Sequence, residues 1–205
     1  MGNNILNHLK TIVKHKYWVG KYCFKAGLYW RGITHDLSKF SPTEFGESIK
    51  FYTGIVSPID TAKKAQGYSL AWLHHRGRND HHHIYWVDNI DEGGIAIKMP
   101  YECAIEMICD YLGAARTYLG EDFSYQKEWE WWKSKRDTMK MHMWTKELVN
   151  VVLANMANTE NDMYIEQLAN DEELRKEYEY GKSFAMMRYE LIRRKVKCEW
   201  RRSEK

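Results

Sequence analysis

Apolar residues return every three or four positions along nearly the whole chain, which is the period of an amphipathic helix. The spacing predicts a first helix over residues 4–28, with Ile5, Leu9, Ile12, Val13, Val19 and Phe24 on its apolar side and Gly27 and Gly32 bracketing its end. Ser41-Pro42-Thr43-Glu44 reads as a capping box with proline at the first helical position. Gly54 and Pro58 break the chain, and Pro58 opens a helix expected to run to about His75. Residues 76–80 are a loop by composition, residues 81–89 a short helix, and 91–94 another break. Pro100 starts a strongly apolar helix from Tyr101 to Leu119, closed by Gly120. Ser124 caps a helix holding Trp129, Trp131 and Trp132, and Thr145 begins one with Leu148, Val149, Val152, Leu153 and Met156. A polar stretch at 157–172 precedes a last helix over about 182–199. No internal repeat and no Val/Ile/Thr alternation is present. The expected fold is all-α: one helical domain over residues 1–155, with residues 156–205 as a helical extension packed on it.

Composition narrows the class. With 205 residues and 44% hydrophobic content, the chain can bury a core, and its three prolines and nine tryptophans argue against disorder. No apolar run reaches the roughly 18 residues a membrane span needs. The start shows neither a signal peptide nor the Ser or Thr of a myristoylation motif, so the expected compartment is the cytoplasm. Cys23, Cys103, Cys109 and Cys198 form no Cys-x-x-Cys pair, which excludes a zinc ribbon or thioredoxin-like motif and leaves buried free thiols as the expectation. A net charge of +3 is too small to imply nucleic acid. The tail Arg193-Arg194-Lys195-Val196-Lys197, with Trp200, Arg201 and Arg202, reads as a solvated helix face, so nucleic acid is disfavoured as a partner.

The unusual feature is the histidines, nine in all. In chain order seven of them and two acids run His15, His35-Asp36, His74-His75, His81-His82-His83 and Asp110. His15 shares a helical face with Ile12, Trp18 and Val19, and His8 lies on the same face. A buried imidazole needs a partner, because an unpaired polar group costs about 1–3 kcal/mol. His35-Asp36 sits at a turn between Gly32 and Ser41, where adjacent side chains can present imidazole and carboxylate to one point. Asp36 can bridge two ions through its two oxygens. Asp110 lies inside the most apolar helix, where a carboxylate is costly unless a cation or donor meets it, and Glu106 is one turn away. A mixed nitrogen and oxygen donor set suits Mn, Fe, Ni or Zn, as one or two ions.

The ordered residues His15, His35-Asp36 and Asp110 resemble the HD superfamily of metal-dependent phosphohydrolases, helical proteins with a His, an adjacent His-Asp and a distal Asp in that order. Thr34-His35-Asp36-Leu37-Ser38-Lys39 looks like that family's His-Asp-x-Gly-Lys turn, with Ser38 in place of glycine, and Met107-Ile108-Cys109-Asp110-Tyr111-Leu112 resembles its distal helix. Two-metal members add histidines between these points, a role that His74-His75 and His82 would fill. The run Trp72-Leu73-His74-His75-Arg76-Gly77-Arg78-Asn79 with Tyr85-Trp86 also resembles a small bacterial and phage-borne family without assigned function, over residues 5 to about 155. The HD resemblance implies hydrolysis of a nucleotide or other small phosphoester by a metal-activated water. Asp36 would bridge the ions, Glu106 would move a proton, and Lys39, Arg76 and Arg78 would hold the phosphate. Self-association is compatible with this reading. The alternatives are a di-iron oxygenase on the same scaffold and a non-hydrolytic nucleotide- or protein-binding module.

Overall fold

The structure is a computed structural model, and it describes residues 2–181. The helix expected over 182–199, Cys198 and the basic tail lie outside the described residues. Within them, helices run α1 (Gly2–Lys25), α2 (Tyr29–Thr34), α3 (Pro42–Phe51), α4 (Pro58–Gln66), α5 (Leu70–Arg76), α6 (Tyr101–Leu119), α7 (Tyr125–Lys135), α8 (Met143–Thr159), α9 (Met163–Ala169) and α10 (Glu172–Tyr180). The chain is predominantly all-α, as the apolar period predicts. The only strands among the described residues are β1 (Val87–Asp88) and β2 (Ile95–Ala96), an antiparallel pair in which Val87 faces Ala96.

Several boundaries differ from the sequence reading, each for a local reason. Helix α1 ends at Lys25, because Gly27 turns the chain through a positive φ and residues 29–34 start a separate helix. Its buried face carries His8, Ile12, His15, Val19, Tyr22 and Cys23, while Ile5, Val13 and Phe24 are exposed. The expected helix over 58–75 is two helices. Gly67, at φ 82°, closes α4, and the Ser69 hydroxyl caps α5 by accepting from the Trp72 amide at 3.0 Å. In place of a helix over 81–89 there is one 3₁₀ turn, His83–Trp86, before β1. Helix α8 starts before Thr145, capped by His142. The polar stretch after 157 is itself largely helical.

A continuous core explains how the elements are held. Val19, Tyr22 and Cys23 of α1 meet Ile105, Ile108 and Leu112 of α6, and the same cluster takes in Trp132 of α7 and Val149, Val152 and Leu153 of α8. It also includes Ile165, Leu168, Leu174 and Tyr178, so α9 and α10 pack on the main body. Helix α8 runs through residue 155, the division expected between body and extension. Cys23, Cys103 and Cys109 are buried free thiols, as expected.

The contact that matters most for the site is the crossing of α1 and α6. A Cβ at Gly113 would stand 3.0 Å from the Val19 backbone nitrogen and 3.2 Å from its Cα, so only glycine allows this approach. His15 lies one turn before Val19, and Asp110 one turn before Gly113. The close approach therefore brings the two side chains to 3.1 Å. Gly113→Ala is expected to lower stability by about 1–3 kcal/mol, read as a lower urea midpoint at unchanged slope.

Candidate metal centre

The His-Asp dyad is presented by a turn with unusual backbone geometry. After α2, Asp36 adopts the left-handed conformation, φ 55° and ψ 27°, and a 3₁₀ turn over Leu37–Phe40 follows. Aspartate tolerates this region better than most residues, yet the conformation still costs about 1 kcal/mol. The Lys16 ammonium anchors the turn by donating to the carbonyl oxygen of His35 at 2.9 Å. Both His35 and Asp36 are thereby turned inward and are only 2% exposed.

Two groups of side chains converge there. His15, His35, Asp36 and Asp110 form one, and Asp36, His75, His81 and His82 form the other. In each, one donor atom per residue lies within 4.8 Å of all the rest. Asp36 belongs to both. Its Oδ2 lies 3.4 Å from His15 Nε2 and 3.2 Å from His35 Nε2. Its Oδ1 lies 3.3 Å from His75 Nε2 and 3.5 Å from His81 Nε2.

The far side of each ring is fixed. His35 Nδ1 donates to Glu106 Oε1 at 2.8 Å, and His81 Nδ1 faces the same oxygen at 3.2 Å. His75 Nδ1 donates to Glu44 Oε2 at 2.8 Å. Glu106 is held in turn by Arg31 at 2.5 Å, and Arg31 also pairs with Asp80. Carboxylates that bind Nδ1–H in this way orient a histidine and leave Nε2 free to coordinate.

The electrostatics follow from burial among opposite charges. Burial alone would raise the Asp36 carboxyl pKa, but His35, Lys39 and His75 outweigh it and hold it well below the usual range. Asp110 is likewise lowered against burial by its bonds to His15 and His35, and Glu106 is lowered to about 2 by those from His35 and His81. Burial pulls His75 down, but Asp36 and the Glu44 bond outweigh it and raise it to about 9. For His82, burial beside His81 and His75 outweighs the pull of Asp110 and Asp36 and drives it well below the ordinary value.

The donor set fits a divalent cation. Asp36 Oδ1 and the Nε2 atoms of His81 and His82 are buried without a hydrogen-bond partner, which is costly in the absence of a positive ion. Nitrogen and oxygen donors without thiolates suit Mn, Fe, Ni or Zn. A third grouping of His35, His81 and Glu106 is already bound internally through the Nδ1 contacts.

The site differs from the sequence reading in particular ways. Of the expected ligands, His15, His35, Asp36, His75, His82 and Asp110 come together, and His81 joins them. His74 does not. Its Nδ1 faces Glu44 Oε1 at 2.7 Å and its Nε2 accepts from Arg78 Nε at 2.7 Å, so both nitrogens are engaged away from Asp36. Glu106, expected as a free proton carrier, is bound by His35, His81 and Arg31 and acts as an orienting group. Glu44 does not reach back to close the capping box; its carboxylate holds His74 and His75, while Ser41 accepts from the Glu44 amide at 3.3 Å. Lys39 places its ammonium 2.5 Å from Asp36 Oδ2.

Two cavities flank the centre. One, of about 190 Å³, is floored by His15, Lys39, His75, His82 and Asp110. The other, of about 320 Å³, is lined by His35, Asp36, His81, Arg31, Arg78 and Asn79. Arg78 is exposed, and Arg76 lines neither cavity.

Two outcomes are expected. His75→Ala should remove about one of two bound ions, measured by elemental analysis, whereas His74→Ala should leave the stoichiometry unchanged. His75 alone should cost the metal-stripped chain on the order of 3 kcal/mol of stability between pH 6.5 and 9, and His35, whose pKa is also raised, adds loss in the same direction. The sign follows from a folded pKa raised above the unfolded one: the stabilisation is complete below 6.5 and disappears as His75 deprotonates. Metal affinity should rise over the same interval, since coordination needs the unprotonated ring; denaturant titrations with and without manganese read both slopes.

No curated protein and no solved structure matches the chain. Residues 4–178 match a family of unknown function (DUF5662), a span that runs past residue 155 into α10 and contains every residue of both convergent groups. The chain belongs to this family of unknown function.

Proposed function

We propose that the chain is a metal-dependent phosphohydrolase of the HD type, acting on a small phosphoester with two divalent transition-metal ions shared across Asp36. The observation that carries the reading is the pair of donor groups meeting at one carboxylate, with the Nδ1 atoms of His35, His75 and His81 tied to Glu106 and Glu44. The ligand order His15, His35-Asp36, Asp110 matches the resemblance seen in the sequence, with His75, His81 and His82 added between. Ions held there lower the pKa of a bound water toward neutrality and offset charge on phosphoryl oxygens.

The chain's own residues supply orientation and charge. Glu44 and Glu106 fix the ring orientation and aim the inner nitrogens, which limits reorganisation when a substrate arrives. Lys39 sits at the boundary between Asp36 and the smaller cavity, where its ammonium can meet a phosphate oxygen. Arg78, expected to bind the phosphate, borders the larger cavity and can meet an anion there through the guanidinium nitrogens not used on His74. Arg76 is given no part.

No helix among the described residues is long and apolar enough to cross a membrane. Three buried free thiols suit a reducing compartment, and we place the chain in the cytoplasm.

The test is direct. The purified chain is expected to hold two equivalents of Mn, Fe, Ni or Zn and to release phosphate from a phosphoester panel. Asp36→Ala should lower the rate at least about a thousandfold, as loss of a metal's several kcal/mol of charge stabilisation requires. Absence of stoichiometric metal would overturn the reading. Oxygen consumption by the iron-loaded chain without phosphate release would favour the oxygenase alternative.

A further inference from the structure

The smaller cavity has walls unlike its floor. His8, Ile12, Ala71, Trp72, Ala114 and Tyr118 supply apolar and aromatic surface above the histidines and Asp110. Trp72 is set in place by an edge contact with His82 at 5.0 Å between ring centroids and by the Lys63 ammonium 4.5 Å above its face. His8 is stacked on Phe45 at 5.3 Å and tilted against Tyr52 at 5.1 Å. It is buried, yet its Nδ1 has no hydrogen-bond partner. Burial, reinforced by the charge of Lys39, lowers its pKa to about 4, so the ring is neutral at pH 7 and can make one further bond.

Size selects among phosphoesters. A dry cavity of about 150 Å³ takes up benzene. At about 190 Å³, this one accommodates a group of one ring, and a base together with its sugar would extend out through its open mouth. Resting on the phosphohydrolase reading, we propose that the substrate is a phosphomonoester of a compact, single-ring organic group, seated between Trp72 and Tyr118 with one hydrogen bond to His8. Its phosphate lies on the floor by Lys39 and Asp110. Ala114, one turn beyond Asp110 on α6, is the point where added volume would exclude the ring.

Non-hydrolysable phosphonates test this without relying on turnover. Calorimetry on the manganese-loaded full chain is expected to show phenylphosphonate binding about tenfold or more tighter than methylphosphonate, the gain of burying one ring. The 5′-phosphonate analogue of adenosine monophosphate should bind more weakly than phenylphosphonate. Ala114→Leu should erase the phenyl advantage while leaving manganese content and methylphosphonate affinity within about twofold, and Ile59→Trp fills the same cavity from α4 as the second variant. Of the three hydroxyphenylphosphonates, at least one should bind better than phenylphosphonate; His8→Phe, which keeps a stacked ring, should abolish that gain. Equal affinity for phenyl- and methylphosphonate, tighter nucleotide binding, or a phenyl advantage that survives both filling variants would overturn the proposed substrate class and leave the metal reading intact. Failure to bind any of manganese, iron, nickel or zinc would overturn both.

Discussion

Three carboxylates, those of Asp36, Glu106 and Asp110, are buried where α6 meets α1 and the His-Asp turn. Burying ionised groups without compensation costs several kcal/mol each, so the elements around them must deliver positive or donating partners. Helix α1 delivers His15, α2 delivers Arg31, the turn delivers His35 and Lys39, α5 delivers His75, and the loop after it delivers His81 and His82. The Gly113–Val19 approach lets α1 come near enough for His15 to reach Asp110. Packing and electrostatics therefore make the same demand on the same helix crossing.

That demand also gives the histidines a direction. In His35, His75 and His81 one nitrogen faces an outer carboxylate, Glu106 or Glu44, and the other faces Asp36. Without an ion, the inner nitrogens meet a carboxylate lacking hydrogen bonds of its own, and protonation of the rings is the only compensation besides Lys39. A bound cation would replace those protons. Stability, metal affinity and pH are coupled through one set of atoms, which links the folding energetics to the proposed chemistry.

Much of this was legible in the sequence where the signal is local. Pro100 and Gly120 bound α6 as read, and Ser124 caps α7. Asp110 stood out because a carboxylate in an apolar helix needs a reason. Non-local signals were less legible. Nothing in the spacing says which of His74 and His75, one residue apart on a short helix, faces inward; the break at Gly67 and Ser69 sets the rotation of α5. His81 lies in a loop, where periodicity carries no direction. Glu44 looked like half of a capping box because its backbone amide does bond the Ser41 hydroxyl, while its side chain serves residues about thirty positions away. Arg31 had no local mark at all, since its partners Asp80 and Glu106 come from other elements.

The most direct measurement is anomalous diffraction from crystals of the chain grown with manganese. Two peaks are expected on either side of the Asp36 carboxylate, roughly 3.5–4 Å apart, one among His15, His35 and Asp110 and the other among His75, His81 and His82. A Lys39 ammonium still seated on Asp36 with no peak beside it, or peaks only at surface carboxylates, would contradict a two-ion centre built on that residue.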